Sequence, residues 1–134
     1  MSTAYEEFKK YLQQKRFRDA ALLAERQVLQ SPPSDAFWLT QQAVALLRAE
    51  DYEPALKLAR KALEAEPSNS YAVMTAADAL LELQKHEEAL AGYVECLVSP
   101  RLAARARKGI LDSLSHLKRW DEVLARLAQW ALPA

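Results

Sequence analysis

The chain has a single cysteine and two glycines, and only ten of its 134 residues are Val, Ile or Thr. One cysteine cannot close an internal disulfide, so nothing argues for an oxidising compartment. Two glycines are too few for a Gly-rich phosphate loop, and the scarcity of β-branched side chains removes the residues that favour strands. Neither sign of charge is in excess. Eighteen Lys and Arg balance eighteen Asp and Glu, with ten of each sign before residue 70 and eight of each after it. A neutral chain with no basic half is not a nucleic-acid binder by bulk electrostatics. No apolar run approaches the roughly 20 residues of a membrane-spanning helix. The opening MSTAYEEFKK lacks the basic stretch and apolar core of a secretory signal. A cytoplasmic location with no membrane partner is the expectation.

What the chain does have is Ala and Leu, 47 residues in all, within an apolar share of 51%. These two lead the helix-propensity scale, so composition alone points to an all-α protein. The length suits one domain, residues 1–134, with a core of its own.

The sequence also repeats. Asp19-Ala20-Ala21-Leu22, Glu53-Pro54-Ala55-Leu56 and Glu87-Glu88-Ala89-Leu90 align, each after an aromatic or His (Phe17, Tyr52, His86). A weaker fourth copy is Trp120-Asp121-Glu122-Val123-Leu124. The steps from Ala20 to Ala55, Ala89 and Val123 are 35, 34 and 34 residues. Each copy holds two apolar-periodic stretches of ordinary helix length. The periodicity predicts helices over about 3–14, 17–30, 36–49, 52–65, 70–84, 86–98, 101–117 and 120–131. Short polar turns at 49–51, 84–86 and 117–119 make the two helices of a copy antiparallel. Between copies stand the breakers Ser31-Pro32-Pro33-Ser34, Glu66-Pro67-Ser68-Asn69 and Ser99-Pro100. Ser34 or Asp35, Asn69 or Ser70, and Ser99 are candidate N-caps. Pro54 falls in a first helical turn, where its missing N–H costs nothing.

With a period near 34 and this residue pattern, the chain resembles the tetratricopeptide repeat (TPR) family along essentially its whole length. The resemblance implies a right-handed α-solenoid of about four helical hairpins, with repeats at about 1–34, 36–69, 70–103 and 104–134. It also implies three small-residue positions per repeat where helices cross closely. The interior copies keep them as Ala43, Ala55 and Ala62, then Ala77, Ala89 and Cys96. The first copy has Phe8 and Gln27 in two of these places, and the fourth has Leu111, Val123 and Trp130 in all three. The expectation is that four hairpins complete the array, with a partly buried Trp130 shielding its open end.

Catalytic chemistry finds no footing. Cys96 sits in a packed small-residue position, and His86 replaces a turn aromatic. Two separate His and one Cys give no metal-ligand spacing. Gly92 and Gly109 lie inside helices, so no phosphate cradle forms. No enzyme activity, cofactor or metal is expected. Arg101, Arg105 and Lys108 recur at i, i+4, i+7 and place a basic stripe on one helix face, a solvated surface or a contact for an acidic partner segment.

The resemblance further implies that the first helix of each hairpin lines a concave groove for a protein or peptide partner. Carried over, the groove residues are Tyr5, Lys9 and Gln13, then Phe37, Thr40, Val44 and Arg48. They continue as Tyr71, Met74, Asp78 and Glu82, and finally Arg105, Lys108, Asp112 and His116. The groove is expected to be aromatic and apolar in its first half, acidic in the third hairpin and basic in the fourth. One subgroup of the family clamps a chaperone's C-terminal carboxylate with Lys, Asn and Arg. At the matching places this chain has Tyr5, Lys9, Gln41, Tyr71 and Thr75, so that cationic cup is missing. An adaptor binding a partner segment is the leading reading. The alternatives are self-assembly, through the C-terminal helix among other surfaces, and a dedicated chaperone for secreted bacterial subunits.

Overall fold

The computed structural model describes residues 3–32 and 35–131, and among them the chain forms eight α-helices. They are α1 (Ala4–Gln13), α2 (Phe17–Gln30), α3 (Phe37–Arg48), α4 (Tyr52–Ala65), α5 (Ser70–Glu82), α6 (His86–Cys96), α7 (Ala103–His116) and α8 (Trp120–Ala131). Each helix packs against its neighbour in sequence, and α3 with α5 and α5 with α7 pack as well. The result is a stack of antiparallel hairpins, an all-α solenoid in which one hairpin buries its apolar face on the next.

The period is written into the backbone. Lys15 (φ 59°), Glu50 (65°), Gln84 (65°) and Lys118 (58°) take the left-handed conformation, one in each hairpin turn. The following N–H then closes the helix end: Arg16 to the Tyr11 carbonyl at 2.8 Å, Asp51 to Leu46 at 2.9 Å, Lys85 to Leu80 at 2.8 Å, Arg119 to Leu114 at 2.9 Å. This is the Schellman closure, here made without glycine.

The links between hairpins differ from the sequence expectation in places. Asn69 caps α5, its side-chain oxygen accepting from the Ala72 N–H at 3.1 Å. At α3 the free N–H groups are met from two sides: Asp35 accepts from Phe37 at 2.9 Å, and Glu66, thirty residues away, accepts from Ala36 at 3.2 Å. The candidate cap Ser34 lies outside the described residues. Helix α7 begins at Ala103 rather than 101, because Ser99–Leu102 forms a turn. The Ser99 carbonyl there accepts from Leu102 and Ala103, at 3.0 and 2.9 Å. Arg101 therefore lies before the helix, and the expected basic stripe loses its first member.

Small residues do set the helix crossings. Ala20, Ala43, Ala55, Ala62, Ala77, Ala89 and Cys96 are fully buried, and so is Phe8. The closer of the two glycine approaches is at Gly109 in α7, where a Cβ would lie 2.5 Å from the Tyr93 ring of α6. Outer ion pairs join successive hairpins: Arg18 with Asp51 at 2.8 Å, Arg60 with Glu88 at 3.3 Å, Arg119 with Glu87 at 3.2 Å. Such exposed pairs contribute little each, about 0–1 kcal/mol. Trp130 is partly buried against the central core, with the Arg107 guanidinium 5.3 Å from its ring.

Candidate functional site

The first helices of the hairpins, α1, α3, α5 and α7, enclose a groove with two compartments. The larger, about 650 Å³, is lined by Tyr5, Phe37, Thr40, Gln41, Val44, Leu47, Arg48, Asn69, Tyr71, Met74, Thr75, Asp78 and Arg105. The smaller, about 370 Å³, includes Tyr52, Glu82, Tyr93, Lys108, Gly109 and Asp112, and shares Leu47, Asp78 and Arg105 with the first. Helical spacing explains the convergence. Phe37, Thr40, Val44 and Arg48 recur at three- and four-residue steps, as do Tyr71, Met74 and Asp78, so each set occupies one helix face.

Of the fifteen residues expected at the groove, nine line the larger compartment, Glu82, Lys108 and Asp112 line the smaller, and Lys9, Gln13 and His116 line neither. The Lys9 ammonium lies 4.9 Å from the centre of the Tyr5 ring. Depth separates them further. Tyr5, Phe37 and Tyr71 are exposed, whereas Thr40 and Met74 are 2% exposed and form the floor. Met74 lines the cavity and at the same time belongs to the central core, so it is a packing residue at the groove floor. The hydroxyls of Thr40 and Thr75 each donate to the carbonyl four residues back, Ala36 and Tyr71, at 2.8 Å. Each hydroxyl proton is thus spent inside its own helix.

The aromatic end is held by ring contacts. Tyr5 meets Phe37 edge-on at 5.3 Å, and Phe37 meets Trp38 at 5.2 Å. Arg48 stands over the Phe17 ring at 5.2 Å. The charges expected to make the third hairpin acidic and the fourth basic are largely paired, one pair between the hairpins and one within α7. Arg105 donates to Asp78 at 2.9 Å, and Lys108 pairs with Asp112 at 3.6 Å. Asp78 also accepts from the Tyr93 hydroxyl at 2.6 Å. Burial pushes the Asp78 carboxyl above its ordinary value, against the lowering influence of Tyr93 and Arg105. Burial, with the nearby carboxylate, raises Tyr93 as well. The Asp78–Tyr93–Arg105 triad is therefore a structural brace across α5, α6 and α7.

His116 is absent from the lining of both compartments, and its ring stacks on His86 at 4.5 Å, nearly parallel. Cys96 is fully buried, and burial pushes its thiol up to about 11, the behaviour of an inert packing residue. Among the described residues no three His, Cys, Asp or Glu side chains gather as a metal site, and no helix is long and apolar enough to cross a membrane. Asn69, Leu47 and Tyr93 were not legible as groove residues, whereas Gln41 and Thr75 stand at positions already compared with the carboxylate-clamping subgroup. Gly109 was the available signal, since a glycine inside a helix points to a close neighbour.

The stacked hairpins, the 34-residue period and the groove of first helices define a TPR-type helical-repeat fold. The sequence profile of the family described as anaphase-promoting complex, cyclosome, subunit 3 matches residues 13–96, well over half of the chain, and the chain belongs to that family. No curated protein matches the sequence. Among solved structures, MamA 41-end from Desulfovibrio magneticus RS-1 superposes with a TM-score of 0.80 at 17% identity, over 93% of this chain and 70% of that one. MamA AMB-1 gives 0.77 at 21% identity, over 94% and 74%. The TPR2AB domain of yeast Sti1, solved in complex with pHSP90, gives 0.74 at 19% identity, over 82% of this chain and 45% of that one. At these identities the likeness is one of fold.

Proposed function

We propose that this chain is an adaptor whose concave groove binds a segment of a partner protein, as a helix or an extended peptide. The observation that carries the reading is the exposure of Tyr5, Phe37 and Tyr71 around one 650 Å³ cavity on rigid helices. Exposed aromatics gathered in a concavity serve binding by anchor residues. Arg48 lies at the same site, and among the described residues no carboxylate pairs with it. The matching segment therefore carries an apolar anchor flanked by an acidic residue. It is not the carboxylate-clamped chaperone tail. Of Tyr5, Lys9, Gln41, Tyr71 and Thr75 only one is cationic, and Thr75 is buried with its hydroxyl committed to the backbone.

A displayed library of random peptides, selected on the full chain, tests this. The selected peptides are expected to lose roughly tenfold or more in affinity on Phe37→Ala or Tyr71→Ala. The helical circular dichroism of both variants should be unchanged. A library that yields no binder, or binders indifferent to both variants, contradicts the proposal.

A further inference from the structure

Two charges of the groove stand at matching places in the repeat. Arg48 closes α3 and Glu82 closes α5, 34 residues later, so both occupy one register position on adjacent first helices. They do not pair with each other. The Arg48 guanidinium leans over the Phe17 ring at 5.2 Å, towards the first hairpin. Glu82 lines the smaller compartment instead. Burial, and then the Glu82 carboxylate, hold the Tyr52 hydroxyl above its ordinary value, so these two side chains are neighbours there. The remaining charges of the compartment are spent, Asp78 on Arg105 and Asp112 on Lys108. Among the described residues no cation pairs with Glu82. The compartment, about 370 Å³, therefore offers a carboxylate beside an aromatic ring with no cation between them. A Lys or Arg side chain fits that chemistry, through a charge pair and a contact over the ring.

We infer that the segment bound in the groove is extended and carries, besides its apolar anchor, a lysine or arginine that enters the smaller compartment against Glu82. The subsite rests on the groove being the binding surface proposed above, and it adds the partner's second charge and the spacing. Gln41 favours the extended form. It lines the larger compartment one helical turn after Phe37, half-buried. Among the described residues its amide has no hydrogen-bond partner. An amide both donates and accepts, as main-chain N–H and C=O groups do. A helical ligand has spent those groups within itself, whereas an extended one presents them. Tyr71 and Glu82 stand eleven residues apart on α5, about 16 Å along the helix axis. An extended chain covers that distance in about five residues. The base therefore stands about five positions from the apolar anchor, level with the acid that meets Arg48.

Displayed random peptides of about sixteen residues, selected on the full chain, test this when their affinities are read by fluorescence anisotropy on three variants. Glu82 is exposed at a helix C-terminus, where a cation suits the helix dipole, so Glu82→Lys keeps the fold. The selected peptides are expected to share a Lys or Arg about five positions from an apolar anchor. Glu82→Lys should weaken them about five- to tenfold, since it turns an exposed attraction into a repulsion. Replacing the peptide's base by Glu should restore binding to that variant and to no other. Glu95→Lys makes the same charge change on an exposed part of α6 outside both compartments and should leave affinity unchanged. Peptides that lose affinity on Phe37→Ala yet bind Glu82→Lys as tightly as before overturn the subsite and leave the groove reading standing. A base enriched about eleven positions from the anchor, in a peptide that is helical when bound, overturns the extended form. A library that yields no binder overturns the subsite and the groove reading together.

Discussion

Gly109 and Tyr93 show how one residue fixes the geometry of the groove. Tyr93 occupies the space a side chain at 109 would need, and its hydroxyl holds Asp78 in place for Arg105. Gly109→Ala is therefore expected to cost about 1–3 kcal/mol by overpacking, despite the gain in helix propensity. Gly92→Ala should cost less, since its Cβ would crowd the Ala77 methyl at 3.0 Å and meet Val73 at an ordinary 3.8 Å. Urea denaturation of both variants checks the order, and a stabilised Gly109→Ala would contradict the packing. Two groove residues separate in the same way. Met74→Ala removes a core side chain and should destabilise by about 2–5 kcal/mol. Phe37→Ala, at an exposed edge, should leave most of the stability intact. Equal losses in the two variants would place Phe37 in the core. Sequence spacing put both residues on the groove face, because periodicity marks a direction around a helix. It does not mark depth, which depends on where the neighbouring helix sits.

At the scale of the element, three of the four hairpin turns were named from sequence, the first followed only from the helix bounds around it, and the chemistry of all four was hidden. The spacing of Ala20, Ala55, Ala89 and Val123 gave the period, and the left-handed residues Lys15, Glu50, Gln84 and Lys118 repeat it. Nothing in those four side chains announces a positive φ. The Schellman closure and the packing of the two helices impose it, at a cost that glycine would avoid. Gln84→Gly is therefore expected to stabilise the chain by about 0.5–1 kcal/mol, even after its greater unfolded-state entropy is counted. A lowered melting temperature would show that the turn is held by the Gln84 side chain instead. The α3 cap was hidden for a different reason. Glu66 reaches it from the next inter-hairpin turn, a contact that stacking creates and local sequence cannot display.

For the whole molecule, stacking distributes protection unevenly. The interior helices α3 to α6 have neighbours on both sides, whereas α8 packs chiefly against α7 and has no buried residue. Amide exchange should be fastest in α8 and slowest in α5, whose buried residues run from Ala72 to Leu80. Trp130→Ala should release α8 before the other helices, and uniform loss across the chain would deny Trp130 an end-shielding role. The solenoid was legible because each repeat carries the same instruction in its small and large residues. The electrostatics of the groove were not, because Asp78–Arg105 joins residues 27 apart and Lys108–Asp112 cancels within one turn. What remains unmatched is the aromatic end with Arg48. Backbone amide shifts, recorded by NMR as a library-selected peptide is titrated into the full chain, test that assignment most directly. The largest changes are expected along α3 and α5, from Phe37 to Arg48 and from Tyr71 to Asp78, with α4, α6 and α8 little affected. Changes centred on the outer helices α2, α4 and α6, with α3 and α5 silent, would contradict it.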